Sequence, residues 1–474
     1  MAKYITTTLP YVNADPHIGL AVELVQADTL ARTWREKGEN VFFSTGTDEH
    51  GQKIFEAATK AGRSVEDYVA HYAKEVQNLR EVLGLSTDAF IRTTNPEHIA
   101  AAQEMWKRCE KAGDVYKKSY TGLYCVGCEE YKNEREIENG ICPLHPSLTP
   151  TEVTEENYFF ALSKYQDRLL EYVSRPGAIF PEWRQEEAKK FIQSGLEDFS
   201  ISRSKERLSW GVPVPGDDAQ VMYVWFDALT NYISTLGWPK DTEQFEGFWM
   251  NGTTVQVAGK DQVRFQSLMW QAMLMSADIK NTDTVFYHGF INSGGQRMSK
   301  SLGNVISPYE LVQKYGAEAT RYLLLRHVHP FEDTDVTWER MDEWYTANMV
   351  NGLGNLVARV MKLAEEHLSE PVAYVGDSNP AFIESVEAYK FNEALDMVFA
   401  LVSEGDEYMT QQEPYKKIKV EDTAEEARKD IAHLVTLLGR VATLLTSVMP
   451  ETSEHILAAV SANKKPENLF PRLG

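Results

Sequence analysis

The amino-acid sequence predicts an α/β fold: a doubly wound parallel sheet interrupted by a cysteine-bearing insertion and followed by an α-helical bundle. Three observations carry that expectation. Strand and helix signals alternate over residues 3–115 and return over 206–296. Between these halves the alternation breaks into short strands, a cysteine cluster and a charged helix. After residue 345 the apolar spacing is helical almost to the end of the chain.

The elements follow in order. KYITTT (3–8) is short and β-branched, as a strand requires. Ile18, Val22, Val25, Leu30 and Trp34 recur near helical spacing over 18–37. VFFSTG (41–46) reads as a buried strand, and AFIRTT (89–94) as another between amphipathic helices at 64–86 and 96–112. Residues 116–205 form the insertion. VMYVWF (221–226), TTVQVAG (253–259) and TVFYHGF (284–290) are the strands expected to complete the sheet, and helices are expected at 343–367, 380–412, 422–449 and 451–462.

Composition narrows the class. The 474 residues suffice for roughly three domains, and 43% apolar with 25% charged residues is a globular balance. No run approaches the ~18 uncharged apolar residues of a membrane span. The chain starts directly with a strand rather than a basic-then-apolar leader, so a cytoplasmic protein is expected. A net charge of −22 argues against holding nucleic acid by bulk electrostatics. No DNA partner is expected, and RNA would need a local basic strip and show salt sensitivity. Four cysteines are too few for a disulfide framework, and three of them crowd into 125–142.

Several motifs carry chemistry. In LPYVNADPHIGLAVEL, Pro16 precedes His17 and Gly19 at a helix start, where free backbone N–H groups and the helix dipole favour an anion. Gly19 lets a ligand lie against the backbone. STGTDEHG (44–51) ends a strand with Asp48, Glu49 and His50, and ligands of such sheets collect at strand carboxyl ends. Asp48 suits an ammonium group; Glu49 is expected to be a solvated loop charge. Cys125-Val-Gly-Cys128 followed by Cys142-Pro-Leu-His145 puts four soft or borderline ligands on two tight turns, the spacing of a closed structural Zn2+ site. Buried free cysteines are the alternative, an odd coincidence at that spacing. Cys109 is expected in the core. Trp225, Ala228 and Tyr232 of VWFDALTNYI could wall an apolar pocket or simply fill the core.

GGQRMSKSLGN (294–304) favours neither helix nor strand, yet brings Arg297 and Lys300 together on glycine-loosened backbone. Such a loop suits charge that develops transiently. A preorganised donor there is worth about 3–4 kcal/mol, and glycines allow closing and reopening at each turnover. Taken alone, a solvated basic loop is the better explanation.

Together these stretches resemble class I aminoacyl-tRNA synthetases, and more closely the methionyl-tRNA synthetase family. The likeness rests on LPYVNADPHIG (9–19), TGTDEHG (45–51), the single zinc knuckle, YVWFDA (223–228), GKD (259–261), HGF (288–290), RMSKSLGN (297–304) and NGLGNLVARV (351–360). It covers almost the whole chain in the right order. The resemblance implies a Rossmann-like catalytic domain in two halves (1–115 and 206–296), a connective insertion (116–205), a loop and stem-contact region (297–345) and an anticodon-binding bundle (346–474). The implied reaction is activation of methionine by Mg2+-ATP and transfer to tRNA(Met), initially to the 2′-hydroxyl. His17, Arg297 and Lys300 would act on the phosphates, with Gly19, Gly259, Asp261 and His288 lining the nucleotide site. The backbone of Leu9 and the Asp48 carboxylate would hold the amino group; Tyr11, Trp225, Ala228 and Tyr232 would wrap the thioether, with Gln262 and Gln266 nearby. Asn355, Arg359 and Tyr415 would read the CAU anticodon.

The chain departs from the family pattern at Leu20 (usually histidine), Arg297 (lysine), Tyr415 (tryptophan), Gln262 (isoleucine) and Gln266 (histidine). A buried unpaired glutamine costs about 1–3 kcal/mol. Three other readings stand beside this one. A class I synthetase for leucine, valine or isoleucine usually carries a larger editing insertion. A non-catalytic RNA-binding paralogue has no need of His17, Asp48 and Lys300. A small-molecule nucleotidyltransferase would have no use for the helical tail. A monomer is expected.

Overall fold

The computed structural model describes the chain apart from residues 1, 129, 133–135, 138, 144, 146, 147, 241, 242, 299–302, 375, 377, 378 and 474, and apart from the side chains of Glu130 and Arg297. The chain forms two compact units: residues 1–16, 39–78 and 87–288, and residues 17–38, 79–86 and 289–474.

The first unit is organised by one parallel sheet of six strands. These are β1 (Ala2–Thr7), β2 (Asn40–Thr47), β3 (Ala89–Arg92), β4 (Ile179–Phe180), β5 (Thr253–Gly259) and β6 (Thr284–His288), in the order β3-β2-β1-β5-β6-β4. Every neighbouring pair is parallel, with Ile5 opposite Phe43 and Val255, and Gly259 opposite His288. Burial of all but the first residue of β5 follows from being covered on both faces. The adjoining core is rich in rings, with Trp106, Trp249 and Trp270 fully buried. Trp249 keeps its indole N–H satisfied on Lys280 O at 2.8 Å.

The insertion builds an antiparallel sheet from Val115–Cys125, Glu130–Lys132, Thr151–Phe160 and Phe199–Ser200. Its chain then contributes β4 to the parallel sheet, an edge strand of two residues that no sequence signal marks. VMYVWF also departs from expectation. Asp217–Met222 is a strand of a separate small antiparallel sheet, and Val224–Leu229 is a helix. The aromatic, β-branched run reads as strand locally, but tertiary bonds from Asp227 override it.

The second unit is helical apart from a small sheet. Its C-terminal helices include Asn355–His367, Phe391–Gln412, Ala424–Leu445 and Pro450–Ala462. The expected single helix at 380–412 is broken around Tyr389, whose φ of 62° ends the helix Pro380–Glu387. Gln296–Arg297 pair with Asn292–Ser293 in a hairpin whose turn is Gly294–Gly295, both at positive φ (64° and 74°). The loop predicted to favour neither helix nor strand therefore starts as a strand, because two glycines supply the turn that a tight hairpin demands.

Helix Ile18–Glu36 joins this unit through a buried ion pair. Asp28 Oδ2 lies 2.7 Å from both Arg321 Nη2 and Arg32 Nε, while Asp28 Oδ1 accepts from the backbone N and hydroxyl of Ser86 at 2.6 Å. The Arg321 guanidinium also donates to the carbonyls of Leu83, Ser447 and Val448. Among the described residues no helix is long and apolar enough to cross a membrane.

Burial pushes the Asp28 carboxyl up, but Arg321, Arg32 and the Ser86 bonds outweigh it and hold it below the ordinary range. The pair's stabilisation is therefore complete above the unfolded value of about 3.9 and lost as pH falls through the folded one. Asp28→Asn, which leaves Arg321 uncompensated, should cost about 3–5 kcal/mol in denaturant unfolding at neutral pH. It should also weaken the loss of stability on acidification relative to the natural chain; identical acid profiles would refute the assignment.

Candidate active site and metal centre

The carboxyl ends of β1, β2, β5 and β6 lie along one edge of the parallel sheet, and Tyr11, Asp48, Gly259, Asp261 and His288 end or follow those strands. Two backbone bonds lace the segment after β1 to the segment after β2: Asp48 N to Pro10 O at 3.0 Å and Val12 N to Asp48 O at 3.2 Å. They leave Tyr11 bridged to Asp48, whose carboxylate is almost wholly buried.

Glu49 corrects the expectation of a solvated charge. It is fully buried, gripped by Arg92 through two bonds of 2.7 and 2.8 Å, and accepts from Thr47 and Thr94 hydroxyls at 2.7 and 2.6 Å. A carboxylate can be buried when a bidentate guanidinium and neutral donors satisfy its lone pairs. The loop carrying Asp48 is thereby held from its other side.

An aromatic wall faces Tyr11. Trp225 meets the Tyr11 ring edge-on at 6.0 Å and stacks on Phe265 at 4.0 Å with an interplanar angle of 11°. Ala228 and Tyr232 are buried in the following turns. Phe265 and Gln266 lie on a π-helical stretch, Arg264–Met269. Gln266 Nε2 donates to the Tyr232 hydroxyl, and Gln262 Nε2 donates to Asp261 Oδ2 at 3.2 Å. The amide oxygens of both glutamines are buried with no hydrogen-bond partner among the described residues.

At the ends of β5 and β6, Gly259 stands opposite His288. A Cβ at Gly259 would approach Asp261 Oδ1 to 2.8 Å and come within 3.9 Å of the His288 ring, so a side chain there would displace the Asp261 carboxylate. His288 is itself buried. Gly259, Asp261 and His288 therefore lie close together.

His17 and Gly19 lie in the second unit. His17 caps helix Ile18–Glu36 with extended backbone, and its Nδ1 accepts from Gly19 N at 3.0 Å. A Cβ at Gly19 would sit 2.8 Å from His17 Cε1, so the glycine makes room for the cap. Desolvation lowers the His17 pKa although the residue is exposed at the helix start; since Nδ1 is already an acceptor, the neutral ring carries its proton on Nε2. Ile306 O accepts from Ile18 N at 2.9 Å, and Asn304 Nδ2 donates to Ser293 O at 3.3 Å. Both ends of the basic loop are thus anchored. Lys300 and the Arg297 side chain lie outside the described residues.

Asn355 is exposed at the start of helix Asn355–His367; Arg359, on the same helix, is ion-paired to Asp406 at 3.4 Å. Tyr415 is 36% exposed, with the Lys416 ammonium 5.9 Å from its ring.

Cys125, Cys128, Cys142 and His145 bring one ligand atom each to within 4.8 Å of one another. The Cys128–Cys142 sulfurs are 3.6 Å apart, and His145 Nδ1 lies 3.2 and 3.9 Å from the Cys128 and Cys125 sulfurs. Tetrahedral bonds of about 2.3 Å to sulfur and 2.0 Å to nitrogen require separations of about 3.5–3.8 Å. The donor set fits zinc, and Gly127 leaves the room that the His145 ring occupies. Cys109 is in the core.

The sequence profile described as tRNA synthetases class I (M) matches residues 3–148 and 146–361. A methionine–tRNA ligase of Brucella suis is 39% identical over 485 aligned positions, covering 98% of this chain and 92% of the relative. The chain belongs to the methionyl-tRNA synthetase family. A family member from Thermotoga maritima is 37% identical, covering 98% of this chain and 76% of its own. Among solved family structures, Mycobacterium tuberculosis methionyl-tRNA synthetase bound by methionyl-adenylate aligns with a TM-score of 0.89 at 34% identity, covering 100% of this chain and 99% of the other. The apo form of that enzyme aligns with a TM-score of 0.82.

Sequence reasoning gives no role to His50, His98 and Asp227, although both histidines bond to the Asp227 carboxylate. Only their long-range pairing reveals them, and no local spacing signals it.

Burial raises the Cys128 thiol pKa. Metal analysis of the purified protein should find about one zinc per chain. Cys142→Ser should reduce that to near zero and make the 116–205 insertion sensitive to limited proteolysis; full zinc content in the variant would exclude this site.

Proposed function

We infer that this chain activates methionine with ATP, forming methionyl-adenylate and pyrophosphate, and transfers the methionyl group to tRNA(Met). The observation that carries the reading is the juxtaposition of buried Asp48 with the Tyr11–Trp225–Phe265 aromatic wall at the strand ends, in a chain with family relatives along its whole length.

The Asp48 carboxylate and the Leu9 backbone hold the substrate ammonium, and Tyr11, Trp225, Ala228 and Tyr232 enclose the side chain. That fixes the methionine carboxylate for attack on the α-phosphorus: the new bond is carboxylate oxygen to phosphorus, and the bond to the bridging oxygen breaks as pyrophosphate leaves. Little covalent work falls to the protein, so positioning and electrostatics supply the rate. Gly259, Asp261 and His288 receive the nucleoside, and Gly19 gives backbone access to the phosphates. Neutral His17 offers its Nε2–H to a phosphate oxygen, while Lys300 and Arg297 meet charge that builds in the transition state. Mg2+ bound with ATP would supply further phosphate neutralisation. Cys125, Cys128, Cys142 and His145 would hold zinc with all four positions filled, where it would tie the insertion together rather than react.

In the second step the tRNA 2′-hydroxyl oxygen takes the acyl carbon and AMP leaves. Residues 346–474 carry 12 Lys+Arg against 20 Asp+Glu, so recognition there leans on stacking and hydrogen bonds more than on charge. Asn355 and Tyr415 are exposed enough to meet unstacked bases, and Arg359 would exchange its Asp406 partner for RNA. The domain limits read from the sequence, a monomeric state and a cytoplasmic location belong to the same proposal.

A class I synthetase for another amino acid is the second reading, favoured by the unpartnered amide oxygens of Gln262 and Gln266. A thioether accepts weakly and donates nothing, so methionine alone does not satisfy them.

Charging of a tRNA transcript with a CAU anticodon by labelled methionine tests the proposal. Lys300→Ala should lower kcat by about 100- to 1,000-fold with methionine KM nearly unchanged. Asp48→Asn should instead raise methionine KM by about 10- to 150-fold, the value of a hydrogen bond to a charged group. Unchanged kinetics in both variants would remove the assigned roles.

A further inference from the structure

A polar junction lies behind the aromatic wall, and substrate contacts do not account for it. Asp227 is fully buried in the helix Val224–Leu229, two residues after Trp225 and one before Ala228. Its Oδ2 accepts from His50 Nδ1 at 2.6 Å, and its Oδ1 from His98 Nε2 at 2.7 Å. A carboxylate only accepts, so both imidazoles must present an N–H to it, which sets the orientation of both rings.

Each histidine is tied onward. His98, fully buried in helix Pro96–Lys111, has Nδ1 2.9 Å from the Ser234 hydroxyl. His50 packs on Trp210 at 5.6 Å, and the indole N–H of Trp210 donates to Glu49 O at 2.6 Å. The backbone N of His50 lies 3.4 Å from Asp48 Oδ1. One carboxylate thus links three segments distant in sequence: the loop bearing Asp48, the helix bearing His98 and the helix bearing Trp225 and Ala228. Burial pushes the Asp227 carboxyl up, but the His50 and His98 interactions more than offset it and keep it below the ordinary range. Apolar packing alone would let these segments slide, whereas a satisfied polar junction specifies one arrangement.

We propose that Asp227 is a positioning residue for amino-acid recognition: through His50 and His98 it sets the spacing between the Asp48 carboxylate and the Trp225–Ala228 wall, and so the side-chain length the pocket accepts. This rests on the reading of that pocket as the methionine site. Asp227 itself touches no substrate. The spacing matters because the substrate is gripped at both ends, ammonium and side chain, and a shift of one end relative to the other changes which length fits.

Methionine-dependent ATP–pyrophosphate exchange by the full chain tests the proposal with Asp227→Asn, which keeps shape and one acceptor but loses the charge. Methionine KM should rise about tenfold or more, with ATP KM within about twofold. The preference for methionine over ethionine, one methylene longer, should fall by about fivefold or more. His98→Gln, whose amide can donate in place of Nε2, should stay near the natural values, and His98→Leu should behave like Asp227→Asn; this pair decides the matter if Asp227→Asn does not fold. Unchanged methionine KM and side-chain preference in folded Asp227→Asn or His98→Leu would overturn the proposal. So would a loss confined to kcat, or one that merely tracks a fall in Tm. If the natural chain activates no amino acid at all, the functional reading fails, and this proposal with it.

Discussion

The reversal of strand order between β1 and β5 is the constraint on which the candidate site depends. From β1 the chain winds outward through β2 and β3; from β5 it winds the other way through β6, with β4 at that edge. All six strands are parallel, so their carboxyl ends share one edge, the place where loops leaving in opposite directions open a crevice in sheets of this kind. The segments that follow β1, β2 and β5, and the last residue of β6, supply Tyr11, Asp48, Asp261 and His288.

Buried polar groups then refine what topology only approximates. The Arg92–Glu49 pair holds one side of the Asp48 loop, and Asp227 holds the other through His50. These charges are costly to bury and are each satisfied by several donors, which makes alternative arrangements of the same loops unfavourable. In the second unit Asp28 and Arg321 play the corresponding part for the helix that starts at His17. The segments bearing Asp48 and His17 are thus both tied down by buried ion pairs.

Much of this was legible in the sequence where a signal is local. β1, β2, β3, β5 and β6 and the major helices follow from periodicity; the zinc ligands follow from spacing, and Gly19 and Gly259 stand where a side chain would collide. What was not legible depends on distant partners. Glu49 looks like a loop charge until Arg92 is folded beside it. Val224–Phe226 looks like a strand until Asp227 meets two histidines from other segments. β4 has two residues, too few for any pattern, and exists because β6 offers it an edge. Gln262 and Gln266 were visible as departures, but only the folded chain reveals that Gln266 reaches Tyr232.

Selection of methionine by this pocket has to tolerate two buried glutamine oxygens that have no hydrogen-bond partner among the described residues. Amino-acid-dependent ATP–pyrophosphate exchange, run separately with each of the twenty amino acids on the zinc-loaded full chain, tests it most directly. Exchange with methionine far above all others is the predicted result. Exchange driven best by another amino acid, or by none, would contradict it.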